Sequence, residues 1–210
     1  LYGFSVDNGA IRYGVSAIKS IGRPVIEGIV REREEHGEYT SLKTFVERNI
    51  DQINKRVVEN LIKAGALDCL EGNRKQKMTI YTQIIDSINQ DKKHTMAGQL
   101  SLFDIASEED KKEFEIRMPQ VEEYPKEIIL TFEKEVLGIY LSGHPLERYR
   151  NMMEKMISAK TSDFQPDDET GIPEVYDNQK VIVGGMITDK TIKYTKNNKV
   201  MAFLTVEDLV

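Results

Sequence analysis

The stretch Ala17-Ile18-Lys19-Ser20-Ile21-Gly22-Arg23-Pro24-Val25-Ile26 sets two cations, two small residues and a proline around one apolar side chain, Ile21. The chemistry open to such a stretch is anion binding. Where a tight turn joins two helices, the first amides of the second helix have no carbonyl partners, and the helix dipole adds partial positive charge. A phosphate oxygen suits that end. Gly22 and Val25 can donate amides of this kind, Pro24 cannot, and Lys19 and Arg23 add charge. Such a contact carries no base information, so the binding it predicts is nonspecific and salt-sensitive. The pattern is a helix-hairpin-helix. Its usual form has glycine on both sides of the apolar residue, whereas here Ser20 takes the first place. An ordinary helical turn used only for packing fits the same residues.

A second stretch repeats part of the pattern. Ile62-Lys63-Ala64-Gly65-Ala66-Leu67-Asp68 ends a helix on a glycine turn, and Asn73-Arg74-Lys75 opens the next helix after a longer entry. Lys63, Gly65, Arg74 and Lys75 are its candidate DNA contacts. Two uses stay open: a second phosphate contact, or packing against the first unit to complete a core.

The third candidate is Gln99-Leu100-Ser101-Leu102-Phe103, an apolar island inside a charged and polar stretch, 91–123. Three large apolar residues within five do not persist exposed without a use. A segment of this kind can dock as an extended peptide in an apolar groove. Leu102 and Phe103 would be the buried anchors, and Gln99 would fill a polar subsite. Affinity would be on the order of micromolar, roughly −8 kcal/mol. Folding back onto its own domain is the alternative.

Catalytic patterns are missing. There is no Gly-rich phosphate loop, and no His/Asp/Glu cluster at helical spacing is read as metal-binding. Asp167, Asp168 and Glu169 read as a solvated acidic turn, not a metal site. His144, between Gly143 and Pro145, reads as part of a helix stop, and Cys69, beside Leu67 and Leu70, as a small core residue. Neither a metal nor a cofactor is expected. With one cysteine in 210 residues, no internal disulfide or thiolate zinc cage is possible. Absence of a signal segment and of a long apolar run adds to the expectation of a cytoplasmic protein without membrane contact. Leu1 in place of Met, and an apolar run ending at Val210, suggest a piece of a longer chain.

Net charge is −6, which argues against general nucleic-acid affinity. Its distribution is uneven. Residues 1–80 carry 13 Lys+Arg against 11 Asp+Glu, residues 81–178 carry 11 against 21, and residues 179–210 carry 5 against 3. Either end can face phosphate, and the acidic middle is repelled by it.

The elements that must position these groups follow from periodicity. Short strands over 2–6 and 10–13 flank Asp7-Asn8-Gly9, a hairpin turn. A helix runs from Arg23 to about Glu35, with Val25, Ile26, Ile29 and Val30 on one face, and stops at Gly37. Another starts at Ser41, with Leu42, Phe45 and Val46 inward. Asn54 caps the next, whose face is Val57, Val58, Leu61 and Ile62, and Gly65 ends it. Further helices are predicted over about 73–90, with Tyr81, Ile84, Ile85 and Ile88 inward, and over 125–141, through Ile129, Phe132, Val136 and Tyr140. A shorter helix ends near Met156. Residues 159–178 read as a linker. The period becomes two over 180–187 and 200–206, around a turn at 196–199.

Taken in order, Ile11 to Lys19, Asn54 to Asp68 and Glu133-Lys134-Glu135-Val136-Leu137-Gly138-Ile139-Tyr140-Leu141-Ser142-Gly143-His144-Pro145-Leu146 closely resemble the C-terminal half of the bacterial DNA polymerase III alpha subunit family. The resemblance covers essentially the whole chain. It implies a mainly α fold: a tandem helix-hairpin-helix domain with a small N-terminal β-hairpin, then helices and the first strands of a truncated oligonucleotide-binding (OB) fold. The implied domains are 1–90, a tandem helix-hairpin-helix region on duplex DNA; 91–123, a linker with the clamp-binding motif; 124–158, a helical extension; 159–178, a linker; and 179–210, the start of the barrel. Such a barrel needs five strands, of which at most three fit here. Gln99, Leu100, Ser101, Leu102 and Phe103 look like the family's sliding-clamp motif, which favours docking over folding back. DNA-binding residues implied are Lys19, Ser20, Ile21, Gly22, Arg23, Val25, Lys63, Gly65, Arg74 and Lys75. Implied partners are duplex DNA, the beta sliding clamp and, through the parent chain, other replicase subunits. The polymerase's catalytic residues would lie upstream, so this segment is expected to be noncatalytic. The competing reading is a standalone helix-hairpin-helix module in DNA binding or repair, without clamp function. A metal-dependent nuclease is a third class, disfavoured by the lack of a carboxylate cluster outside the linker.

Overall fold

The computed structural model describes residues 3–7, 9–96 and 116–209. The chain divides into two compact units, 1–141 and 142–210. Unit 1 opens with a two-stranded antiparallel hairpin, β1 (Ser5–Asp7) and β2 (Ala10–Arg12), paired Val6 to Ile11. Gly9 turns it at φ 79°, as the Asp-Asn-Gly signal requires. A single 3-10 turn, Val15–Ala17, leads to α1 (Arg23–His36), which stops at Gly37 with φ 80°.

The following helices begin where their capping residues predict. Ser41 accepts the Thr44 N–H at 3.1 Å and starts α2 (Leu42–Asn49). Asn54 accepts the Val57 N–H at 3.0 Å and starts α3 (Lys55–Lys63). The long helix α4 (Arg74–Met96) comes next, and α5 (Lys126–Leu137) ends at Gly138, a left-handed residue with φ 82°. The expected continuation of α5 to Leu141 fails at that glycine, which leaves the helical region of the backbone and closes the last turn onto the Lys134 carbonyl.

One core joins these elements. Phe45, Val46, Val58 and Ile62 are its least accessible side chains besides Ile26 and Leu42, and α4 adds Ile80, Ile84, Ile85 and Ile88. Val136 and Leu137 of α5 belong to the same cluster. Residues 124–141 therefore complete the hairpin unit, and the unit boundary falls inside the segment expected to be one helical extension. On α5 the inward face is Leu130, Glu133, Val136 and Leu137, not the face through Ile129 and Phe132. A buried glutamate sets that face.

Unit 2 holds a 3-10 turn (Glu147–Tyr149), α6 (Arg150–Met156), a second 3-10 turn (Thr161–Phe164), and the antiparallel strands β3 (Met186–Tyr194) and β4 (Val200–Glu207). β3 pairs with β4 from Met186 with Glu207 to Tyr194 with Val200, with a bulge between Ile187 and Asp189. Thr195 and Asn198, the latter at φ 56°, make the turn. β3 starts six residues later than the apolar run suggests. Ile182 in that run accepts the Ser158 N–H at 2.9 Å instead of joining a strand. Asp208 is buried and receives the Thr161 N–H. Two strands with exposed Ile192, Phe203 and Leu204 are consistent with the opening hairpin of an OB-type barrel.

Candidate nucleic-acid interface

The first hairpin is built around Ile18 and Ile21, which bury into the core on either side of an exposed turn. Two long-range hydrogen bonds fix the turn. The Lys19 N–H donates to the Val136 carbonyl at 2.8 Å, and the Asn60 side chain donates to the Lys19 carbonyl at 2.9 Å. Ser20 then takes φ 64°, in the left-handed region that glycine enters most readily. So the serine departs from the motif's residue type and holds a backbone conformation that suits glycine.

Gly22 is the N-cap of α1, extended at φ −73° and ψ 149°, with no side chain bonded to the helix end. It is exposed, and a Cβ placed on it would meet only the Pro24 ring at 3.7 Å. The Val25 N–H turns inward to the Gly22 carbonyl at 3.1 Å. That corrects the expectation that Val25 donates outward. Arg23 is exposed and bonded to Glu27 at 2.7 Å, one helical turn on. An exposed pair of this kind is worth less than about 1 kcal/mol and exchanges readily.

The second hairpin has the same plan with a different ending. Gly65 is left-handed at φ 75°, and the Arg74 guanidinium lies against it so closely that any Cβ there would collide. Arg74 is buried. It binds Asp68 at 2.8 Å and Glu133 at 3.2 Å, and it donates to the Lys63 carbonyl. Glu133, itself fully buried, also accepts the Leu141 N–H at 2.8 Å. Burial opposes the Arg74 charge, but Asp68 and Glu133 outweigh it and hold its pKa above the ordinary value. Lys63 lies between Glu59 at 3.0 Å and Glu135 at 2.9 Å, beside the Phe132 ring. Burial lowers its pKa less than those two carboxylates raise it. Lys75 lies over the Tyr124 ring.

The N-terminus of α4 is already filled. Asn73 and Gln76 cap each other reciprocally, each backbone N–H donating to the other side chain at 2.8 Å. Residues 119–124 cross this end, with the Pro119 carbonyl accepting from Gln76 and the Val121 carbonyl from Asn73. The Glu123 carboxylate accepts the Arg74 N–H at 2.8 Å and the Lys75 N–H at 3.0 Å. Burial pushes the Glu123 pKa up, yet the N–H groups of Tyr124, Arg74 and Lys75 together with the Arg74 charge bring it below the ordinary carboxylate range. A carboxylate thus occupies the place on α4 that a phosphate would take.

Lys77, in the same turn of α4, is fully buried and donates to the Gly72 carbonyl; burial lowers its pKa. Cys69 is exposed while Leu67 and Leu70 are buried, which corrects its reading as a core residue. The turn places its thiol outward and the two leucines inward. His144 lies beyond the end of α5 and accepts the Leu146 N–H at 3.2 Å. Asp167 closes its own loop by accepting from Thr170 and Glu169; those bonds, the Thr170 N–H first, hold its pKa low. Gln99, Leu100, Ser101, Leu102 and Phe103 lie outside the described residues. Among the described residues no helix is long and apolar enough to cross a membrane.

A residue that sequence reasoning missed lies beside the first turn. Arg56 is exposed in the first turn of α3 and lines a groove with Lys19, Ser20 and Lys63. Its signal was present in the Asn54-Lys55-Arg56 start of that helix, where bases stand in place of the usual acids.

Comparison with known proteins agrees with the hairpin geometry. The helix-hairpin-helix motif family matches residues 1–77. The chain is 34% identical over 206 residues to the DNA polymerase III subunit alpha of Borreliella burgdorferi, covering 98% of this chain and 17% of that protein. It is 33% identical over 210 residues to the subunit of the same name from Vibrio cholerae, covering 99% of this chain and 17% of that protein. The corresponding Xylella fastidiosa subunit is 38% identical over 148 residues, covering 70% of this chain and 12% of that protein. The chain therefore spans about a sixth of the length of the first two relatives and about an eighth of the third.

Proposed function

Since the chain belongs to the DNA polymerase III alpha subunit family, of which it spans a segment, we propose that it is a noncatalytic part of a DNA-directed DNA polymerase and serves to retain DNA. The catalytic residues would lie upstream of it in the parent chain. Duplex phosphates bind at the first hairpin, through the Gly22 amide and the charges of Lys19 and Arg23, with no base readout. The observation that carries this reading is the exposed, uncapped Gly22 end of α1, with Ser20 holding the left-handed turn ahead of it. The second hairpin serves packing, because Arg74 is buried in ion pairs and Glu123 fills the helix end. Lys63, Gly65, Arg74 and Lys75 then support the frame and do not touch phosphate.

The Gln99–Phe103 peptide supplies the second attachment. Its Gln-Leu-Ser-Leu-Phe sequence fits a short apolar groove on the beta sliding clamp, with Leu102 and Phe103 as anchors. Two modest attachments joined by one chain act together through effective concentration, so neither has to be tight. Contacts with other replicase subunits would run through the parent chain, in the cytoplasm.

The test is Gly22→Asp. The backbone at Gly22 accepts an L residue, and the new carboxylate would cap α1 as Glu123 caps α4. Stability holds or rises by a few tenths of a kcal/mol, while duplex affinity falls about tenfold, equivalent to about 1.4 kcal/mol. Unchanged affinity in a folded Gly22→Asp protein would remove the first hairpin from the interface. For the clamp arm, Leu102→Ala with Phe103→Ala should abolish clamp binding in calorimetry and leave duplex binding intact. Retained clamp affinity would remove the Gln99–Phe103 peptide from the clamp contact, and no clamp binding by the wild type would favour the standalone module.

A further inference from the structure

The first turn of α3 carries Lys55 and Arg56 and no acidic residue. Cations there oppose the helix dipole, so their placement does not serve the stability of α3. Lys55 has a partner, Asp86, at 2.7 Å. Arg56 is exposed, with no carboxylate in ion-pair range among the described residues, and the same holds for Lys19. Arg56 and Asn60 are four residues apart and share a face of α3. Asn60 is the residue whose side chain holds the Lys19 carbonyl at 2.9 Å. The hairpin turn and the Arg56 face are therefore locked to one frame. A groove of about 490 Å³ is lined by Lys19 and Ser20 of the turn and by Arg56 and Lys63 of α3. Four cations line it against two carboxylates, Glu59 and Glu135, in a chain whose net charge is −6.

We propose that this groove is a second phosphate seat, with Arg56 as its principal cation and Lys19 as a second. The inference rests on the duplex-binding reading above and adds to it a contact outside the hairpin motif. The guest is a phosphodiester of the DNA backbone. A planar guanidinium can hold two of its oxygens at once, while Lys19 supplies a point charge from the turn. The seat needs no rearrangement of the backbone, since Asn60 and Val136 already fix the turn against α3 and α5.

The experiment is a fluorescence-anisotropy titration of the 210-residue chain with a short random-sequence duplex over a range of salt, comparing wild type, Arg56→Ala, Arg56→Lys and Gly22→Asp. Arg56→Ala should lower affinity about fivefold to tenfold at low salt and reduce the slope of log K against log salt by about 0.9. Arg56→Lys should keep the slope and recover part of the affinity. A thermal melt confirms that Arg56→Ala is folded, as expected for an exposed side chain. If Arg56→Ala matches wild type in affinity and slope while Gly22→Asp binds weakly, the second seat is refuted and the hairpin reading stands. If neither variant departs from wild type, both are refuted.

Discussion

The two hairpins of this chain share a plan and differ in what meets the end of the second helix. At the first, Ser20 and Gly22 expose an uncapped start of α1. At the second, Asn73, Gln76 and Glu123 satisfy the start of α4 from within the chain. A helix N-terminus attracts whatever anion is near, and an internal carboxylate at fixed geometry is always at higher effective concentration than a phosphate in solution. Similar turns thus have different chemistry, decided by a residue about fifty positions downstream. The cations follow suit. Arg23 is paired on the surface, where the pair exchanges easily, while Arg74 is paired in the interior, where it cannot leave.

The largest effect expected from this contrast is at Glu133. Glu133→Ala removes a fully buried partner of Arg74 and the acceptor for the Leu141 N–H. It should cost about 3–5 kcal/mol in chemical denaturation, as loss of one member of a buried pair does. A loss below 1 kcal/mol would mean that the Arg74 network does not hold the second hairpin together. Arg23→Ala, by comparison, should leave stability unchanged.

Glu123→Gln should have an intermediate effect, about 1–2 kcal/mol at neutral pH, because a neutral amide caps α4 less well. Its pH dependence sharpens the comparison. The Glu123 pKa is lower in the folded protein, so its contribution is complete above the ordinary carboxylate range. That contribution is lost as pH falls through the folded value. Stability of wild type should therefore decline more steeply in acid than that of Glu123→Gln, and parallel acid limbs in urea melts would contradict the cap.

Ser20→Gly should have the smallest effect. Glycine relieves the left-handed strain but adds unfolded-state freedom, and the two nearly cancel, within about 0.5 kcal/mol. Duplex affinity should stay within about twofold of wild type, because the turn geometry is already present. A large gain would show that Ser20 distorts the site.

Much of this frame was legible in the sequence. Ser41 and Asn54 marked helix starts, Gly37 and Gly65 marked stops, and the spacing of Val57, Val58, Leu61 and Ile62 marked the buried face of α3. Those signals are local, and local backbone chemistry sets them. Glu133, Arg74 and Glu123 were not legible, because each is defined by a partner distant in the chain. A charged side chain reads as solvated until its counter-ion is placed, and 59 positions separate Arg74 from Glu133. Ser20 could be seen to replace a glycine, but only its φ shows that it holds a left-handed turn. Arg56 was passed over because helix-start cations look like ordinary surface charge.

The most direct test of the contrast between the hairpins is a titration of the 15N-labelled chain with a short duplex, followed by amide NMR. The Gly22 amide should shift progressively and saturate with the binding isotherm, while the Arg74 and Lys75 amides, held by Glu123, should stay in place. Saturating shifts at Arg74 and Lys75 with a silent Gly22 would contradict the account.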